Sequence, residues 1–185
     1  MMTRKYIALT ALAALFAAPA FATEHEGWIY NGLTGMGSVH EDGLRDSAFS
    51  SNSNIGYRWG MFGVEVGHVY FGKFKDSSQV GAATVNVDTK VDGWSVGVNV
   101  NHDIDEKWSL QGRLGLFDWN ADGHVFSGPG SIPFSDSGHD WYAGASIDYN
   151  WRKRSSVGFG YSYYKVNNAN INLWGIHTEY RFGSD

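Results

Sequence analysis

The chain contains no cysteine and only three prolines among its 185 residues. Without cysteine there is no disulfide staple, no thiol nucleophile and no thiolate metal site. Scarce proline leaves long stretches free to pair along their backbones. Basic residues are also few: fourteen Lys and Arg stand against nineteen Asp and Glu. A deficit of positive charge argues against nucleic acid or an anionic lipid surface as a partner. The i, i+3, i+4, i+7 apolar spacing of a helix is missing beyond residue 22, where no segment holds it for more than about a turn. Among the seven histidines, at 25, 40, 68, 102, 124, 139 and 177, none forms an H-x-H or H-E-x-x-H pair. No local metal-ligand motif follows from that spacing, and no cofactor is expected.

What is abundant points one way. Twenty-four glycines and 16% aromatic residues suit a small, strongly curved sheet, because glycine allows close backbone approach and aromatics favour strands. Residues 1–22 read as a secretory signal peptide, with basic Arg4 and Lys5, an apolar run from Tyr6 to Ala18 and a small-x-small Ala20-Phe21-Ala22 cleavage pattern. Removing it takes away two basic residues and leaves a net charge of −7 on residues 23–185, which are long enough for one domain.

Residues 23–185 alternate with period two. VDGWSVGVNVN sets Trp94, Val96, Val98 and Val100 against Ser95, Gly97, Asn99 and Asn101. Equivalent segments surround Val64 and Val66, Leu110 to Leu116, Trp141 to Trp151, Val157 to Tyr163, and Trp174 to Phe182; strands around Trp28 to Val39 and Asn54 to Trp59 bring the count to eight. Connections alternate too. Short ones fall at Gly60-Met61, His102 to Lys107 and Arg152 to Ser155; long ones are expected at 40–53, 75–91 and 121–139, with a briefer one at 167–170. Short and long connections in alternation are the signature of an up-and-down transmembrane barrel.

A soluble cup would alternate equally well, so orientation rests on the character of each face. Opposite the apolar residues stand Glu65, Asn99, Gln111, Arg113, Asp148, His177 and Glu179 among many Gly and Ser. Small residues with a few pairable charges fit a narrow interior better than a solvated outer surface. Aromatics bracket the segments, with Trp59, Phe62, Trp108, Tyr149, Trp151, Tyr180 and Phe182 at the short-turn ends and Tyr70, Trp94, Trp119, Trp141, Tyr163 and Trp174 toward the other. Two girdles are what membrane interfaces favour.

The segments GVEVGHVYFG, DEKWSLQGRLGLFDWNAD, DWYAGASIDYNW and the terminal WGIHTEYRFG resemble strands of the OmpA/OmpX-type small outer-membrane barrels over most of residues 23–185. The resemblance implies an all-β fold, an eight-stranded antiparallel up-and-down transmembrane β-barrel in the Gram-negative outer membrane. It implies that Trp174, Ile176, Tyr180 and Phe182 form a terminal signal read by the barrel-insertion machinery. It further implies a lumenal polar network of Glu65, Asn99, Arg113, Asp148, His177 and Glu179, with Arg113 as the remaining counter-ion for the lumenal carboxylates. Asn99 and Gly158 stand where the family carries basic residues, which puts a salt-bridge exchange of the family's kind in doubt. With three residues after Phe182, no periplasmic domain is expected.

Function is then expected at the surface: a structural or interaction role of the adhesion or resistance type, through extracellular loops on a rigid scaffold. Expected partners are outer-membrane lipid and lipopolysaccharide, the insertion machinery and an extracellular ligand, with the protein a monomer and no enzyme. Two alternatives remain. FKDS, with Asp76 and Ser77, and His40 in the preceding connection resemble the site of the lipid A palmitoyltransferase barrels. A narrow ion-conducting lumen is the other.

Overall fold

A computed structural model describes residues 26–41, 44–80, 83–127 and 130–182. These form eight strands: β1 Glu26–Glu41, β2 Leu44–Trp59, β3 Phe62–Val80, β4 Ala83–Asp103, β5 Trp108–Ser127, β6 Gly130–Arg152, β7 Ser155–Val166 and β8 Ala169–Arg181. Each is antiparallel to its neighbours, and β1 pairs with β8 from Ile29↔Arg181 to His40↔Asn170, closing the ring. Closure leaves no free sheet edge, which a wall lying in hydrocarbon requires.

The alternation sets which residues face outward. Val64, Val66, Val96, Val98, Leu114, Ile147, Phe159 and Ile176 are all exposed on the outer wall, whereas Glu65, Asn99, Arg113, Asp148 and His177 beside them are buried within. An exterior of bare aliphatic side chains around a charged interior is the inverse of a soluble barrel and suits lipid contact. Near the short-turn ends, Trp28 and Tyr57 meet edge to face with ring centres 5.6 Å apart, and Trp108 and Tyr149 at 5.3 Å. Toward the other end, Trp94 packs on His68 at 5.4 Å and Trp141 on Tyr163 at 5.0 Å. Trp119 departs from the expected girdle. It is 4% exposed and points into the lumen, one residue out of phase with the outward Leu116 and Asp118.

The long connections also differ from expectation. Residues 44–53, 75–80, 83–91, 121–127 and 130–139 are paired strand, not loop. The β5–β6 hairpin keeps its ladder from Trp108↔Tyr149 to Ser127↔Gly130. A membrane strand needs only about 9–11 residues, so β5, with 20, continues well beyond the bilayer as ribbon. By contrast β7 has 12 residues and β8 has 13, so the wall is lowest there. Their turn at Asn167 adopts φ 51°, a left-handed conformation that Asn tolerates better than most side chains.

Candidate functional site

The lumen is built in two tiers. Near the short turns it is polar. Glu65 on β3 accepts from Arg113 Nε on β5 at 2.7 Å, with Nη2 2.6 Å away completing the ion pair. Its other donors are the Tyr142 hydroxyl at 3.0 Å, Asn99 Nδ2 at 3.0 Å and Asn31 Nδ2 at 3.3 Å. Glu179 on β8 receives both Arg58 terminal nitrogens, at 2.7 and 2.8 Å, together with Gln111 Nε2 at 2.7 Å and Arg181 Nε at 2.9 Å. Two such carboxylates satisfy most of their lone pairs on protein donors, the condition under which buried charge is tolerated.

Asn99 connects the two ion pairs, since its amide donates to Glu65 while its oxygen accepts from Arg58 Nη2 at 3.1 Å. A third pair joins β8 to β6. His177 Nδ1 lies 2.8 Å from Asp148 Oδ1, and the Ser146 hydroxyl donates to Asp148 Oδ2 at 2.6 Å. Gly158 stands between Asp148 and His177 in the ladder. An added Cβ there would lie 2.5 Å from Asp148 Oδ1, so a larger side chain would displace the acid.

Arg58 was not among the residues expected here, although it is 1% exposed and one of the largest fully buried side chains. The signal was present in the sequence: Tyr57 and Trp59 flank it at a short-turn end, and two outward aromatics place the residue between them inside.

Above this polar tier the lumen turns apolar. Phe71, Phe117, Tyr142 and Tyr164 are fully buried, with Phe71, Phe117 and Tyr164 in edge contact at 5.1 to 6.1 Å. Tyr142 stacks on Tyr164 at 5.5 Å and hands its hydroxyl down to Glu65. Rings that fill the cross-section in this way separate the polar tier from the extracellular mouth.

The side chains of His40, Asp76 and Ser77 lie outside the described residues; their backbones belong to β1 and β3, which β2 separates. Among the described residues no group of three or more His, Asp or Glu is arranged to hold a metal ion. Trp174, Ile176 and Tyr180 line the lipid-facing side of β8, and Phe182 follows it with Tyr180 packed on its ring at 4.9 Å.

A closed eight-stranded ring with an apolar exterior and a paired, charged interior is the architecture of small outer-membrane proteins, and the profile of the outer membrane protein beta-barrel domain family matches residues 8–182. The chain belongs to that family. As an outer-membrane barrel it is similar in fold to the attachment invasion locus protein of Yersinia pestis, Ail, at 22% identity over 86% of this chain and 100% of that one, with a TM-score of 0.58. Neisserial surface protein A shares 14% identity over 84% of this chain and 97% of that one, at a TM-score of 0.57. The N-terminal barrel of Pseudomonas aeruginosa OprF shares 8% identity over 85% and 99%, at 0.51. No curated protein matches the chain. Ail has also been crystallised with the heparin analogue sucrose octasulfate.

Proposed function

We propose that this outer-membrane barrel acts by surface recognition through its extended hairpins, while its lumenal network is a structural core and neither a conduction path nor a catalytic site. The β5–β6 ribbon carries the proposal. Along β5 the outward face changes from Trp108, Leu110, Leu114 and Leu116 to Asp118, Asn120, Asp122 and His124, all exposed, while strand pairing continues to Ser127. From Asp118 to Ser127 is about 30 Å of strand at 3.3–3.4 Å per residue. A ladder-paired ribbon of that length presents its side chains with little ordering cost on binding.

The ribbon's charge narrows the ligand class. Asp118 and Asp122 stand on the outward face of β5, and Asp88 and Asp92 on β4 stand beside Lys90, with Lys75 of β3 paired across from Asp88. Lys90 is itself committed to Asp92 at 2.8 Å. The acids of β5 suit a neutral or cationic protein partner better than a sulfated glycan of the kind crystallised with Ail.

The remaining assignments belong to the same proposal. Residues 1–22 direct export, the terminal strand with Trp174, Ile176, Tyr180 and Phe182 engages the insertion machinery, and the monomeric barrel sits among lipid and lipopolysaccharide. The test removes residues 122–135 and joins Ala121 to Asp136 through an Asn-Gly turn, a sequence suited to a two-residue hairpin. Cells producing the shortened barrel are expected to lose adherence to immobilised matrix glycoproteins and survival in serum, with heat-dependent gel mobility retained. Unchanged adherence and survival would overturn the proposal.

A further inference from the structure

Above the aromatic tier the lumen opens into a cavity of about 300 Å³ at the extracellular end. The inward residues of β5 explain it. They run Phe117, Trp119, Ala121 and Gly123, so the lumen is filled as far as Trp119 and then vacated by two small residues. Val39, Val91, Trp119, Ala121, Val166 and Ile171 line the void, and all six are buried. Beneath it Phe71, Phe117 and Tyr164 close the lumen, which makes the cavity a dead end.

Its walls are held by two cross-strand pairs of an aromatic with a glycine, Trp119↔Gly138 and Phe134↔Gly123. A Cβ on Gly138 would fall 2.8 Å from the Trp119 ring, and one on Gly123 would fall 2.5 Å from the Phe134 ring. Both rings therefore lie across bare backbone. The Asp140 carboxylate fixes the arrangement: it accepts from Trp119 Nε1 at 3.0 Å and from the backbone N–H of Asn167, in the low β7–β8 turn, at 2.8 Å. With its N–H satisfied outside, the indole contributes only its apolar face to the void. Polar groups occur at the rim, where Lys75 and Asp136 bring opposite charges and Thr89 a hydroxyl.

We infer that this cavity is a binding site for a small, neutral, apolar molecule of about bicyclic aromatic size carrying one hydrogen-bonding group, entering from outside over the β7–β8 turn. Three features select that class. An apolar cavity of about 150 Å³ accepts benzene, so twice that volume takes a larger flat or compact molecule. The buried lining offers no charge to a charged ligand. A single polar substituent can reach the rim hydroxyl or carboxylate while the body stays among the aliphatic walls, the usual division of labour in a barrel mouth. The inference does not rest on the recognition role proposed for the hairpins, although Phe134 of the β5–β6 ribbon lines the cavity.

Equilibrium dialysis of 2-naphthol against the protein in lipid nanodiscs, with protein-free nanodiscs as the reference, tests this. Saturable uptake of about one molecule per barrel is expected above the linear partitioning into lipid. Ala121→Trp, which fills the void, should lower the affinity at least tenfold with heat-dependent mobility unchanged. Uptake no greater than that of empty nanodiscs, or undiminished in a folded A121W barrel, would overturn the inference. Should A121W not fold, crystals of the unaltered protein under xenon decide: xenon between Trp119 and Ile171 supports the site, and xenon confined to the outer wall refutes it.

Discussion

At the scale of single residues, the interior is held by two carboxylates almost fully supplied with donors. Arg58 is the residue on which most depends, because it neutralises Glu179 and also reaches Asn99, through which the Glu65–Arg113 pair is joined. Removing one member of a buried ion pair leaves the other charge stranded, at a cost of about 3–5 kcal/mol. Arg58→Ala is therefore expected to destabilise the folded barrel by about that amount in urea titrations in lipid vesicles. Arg58→Met combined with Glu179→Gln should cost less than the single change, since the buried carboxylate is then gone and only the partly exposed Arg181 loses a partner. Equal or additive losses would mean that the two side chains do not act as a pair. On the outer wall, Val98 is 54% exposed between Val96 and Val100. Val98→Arg should cost about 2–4 kcal/mol if the side chain sits at mid-bilayer, measured by the same titration. Much of this was legible in the sequence, because period-two alternation with charge on one side assigns Glu65, Asn99, Arg113, Asp148, His177 and Glu179 to one face. Which charges meet was not. Arg58 and Glu179 lie 121 positions apart in sequence, and only ring closure brings β2 and β8 to either side of β1.

At the scale of the element, the strands near the membrane announce themselves because lipid and lumen impose opposite demands on alternate residues. Beyond the bilayer that contrast ends. Along β6 every residue from Ser131 to Ser137 is exposed, whichever face it stands on, so nothing there selects apolar residues at every second position. The Ser, Gly, Asn and Asp that replace them are also turn formers, and they read as loop although they pair. Strand formation in the ribbon is decided by the partner strand more than by intrinsic preference. The same effect hid the inward Trp119, whose phase is visible only once β5 is known to continue unbroken past Asp118. The terminal strand gives a prediction at this scale. If Phe182 is part of the insertion signal, Phe182→Ala should slow appearance of the heat-modifiable form in cells while leaving the urea midpoint of the refolded protein nearly unchanged. An equal loss in both would make Phe182 a packing residue only.

At the scale of the whole molecule, lumen and wall have separate tasks. The polar tier and the aromatic tier together plug a barrel whose eight strands leave little room to begin with. Fully buried Phe71, Phe117, Tyr142 and Tyr164 lie across any aqueous route between Glu65 and the mouth. In planar bilayers the protein is expected to show no resolved conductance steps, and Glu65→Gln should leave that trace unaltered. A steady cation current would contradict a sealed lumen. Binding is thereby moved to the extracellular side, where hairpins of unequal height rise from a closed base.

The absence of cysteine makes the decisive measurement clean. Val98→Cys and Asn99→Cys, adjacent on β4, can each carry a single fluorescent label, and each is read in vesicles containing lipids brominated at mid-chain. Strong quenching at position 98 with little at position 99 is the result expected of an apolar exterior in hydrocarbon. Quenching at 99 and protection at 98 would contradict it, because the barrel would then be turned inside out.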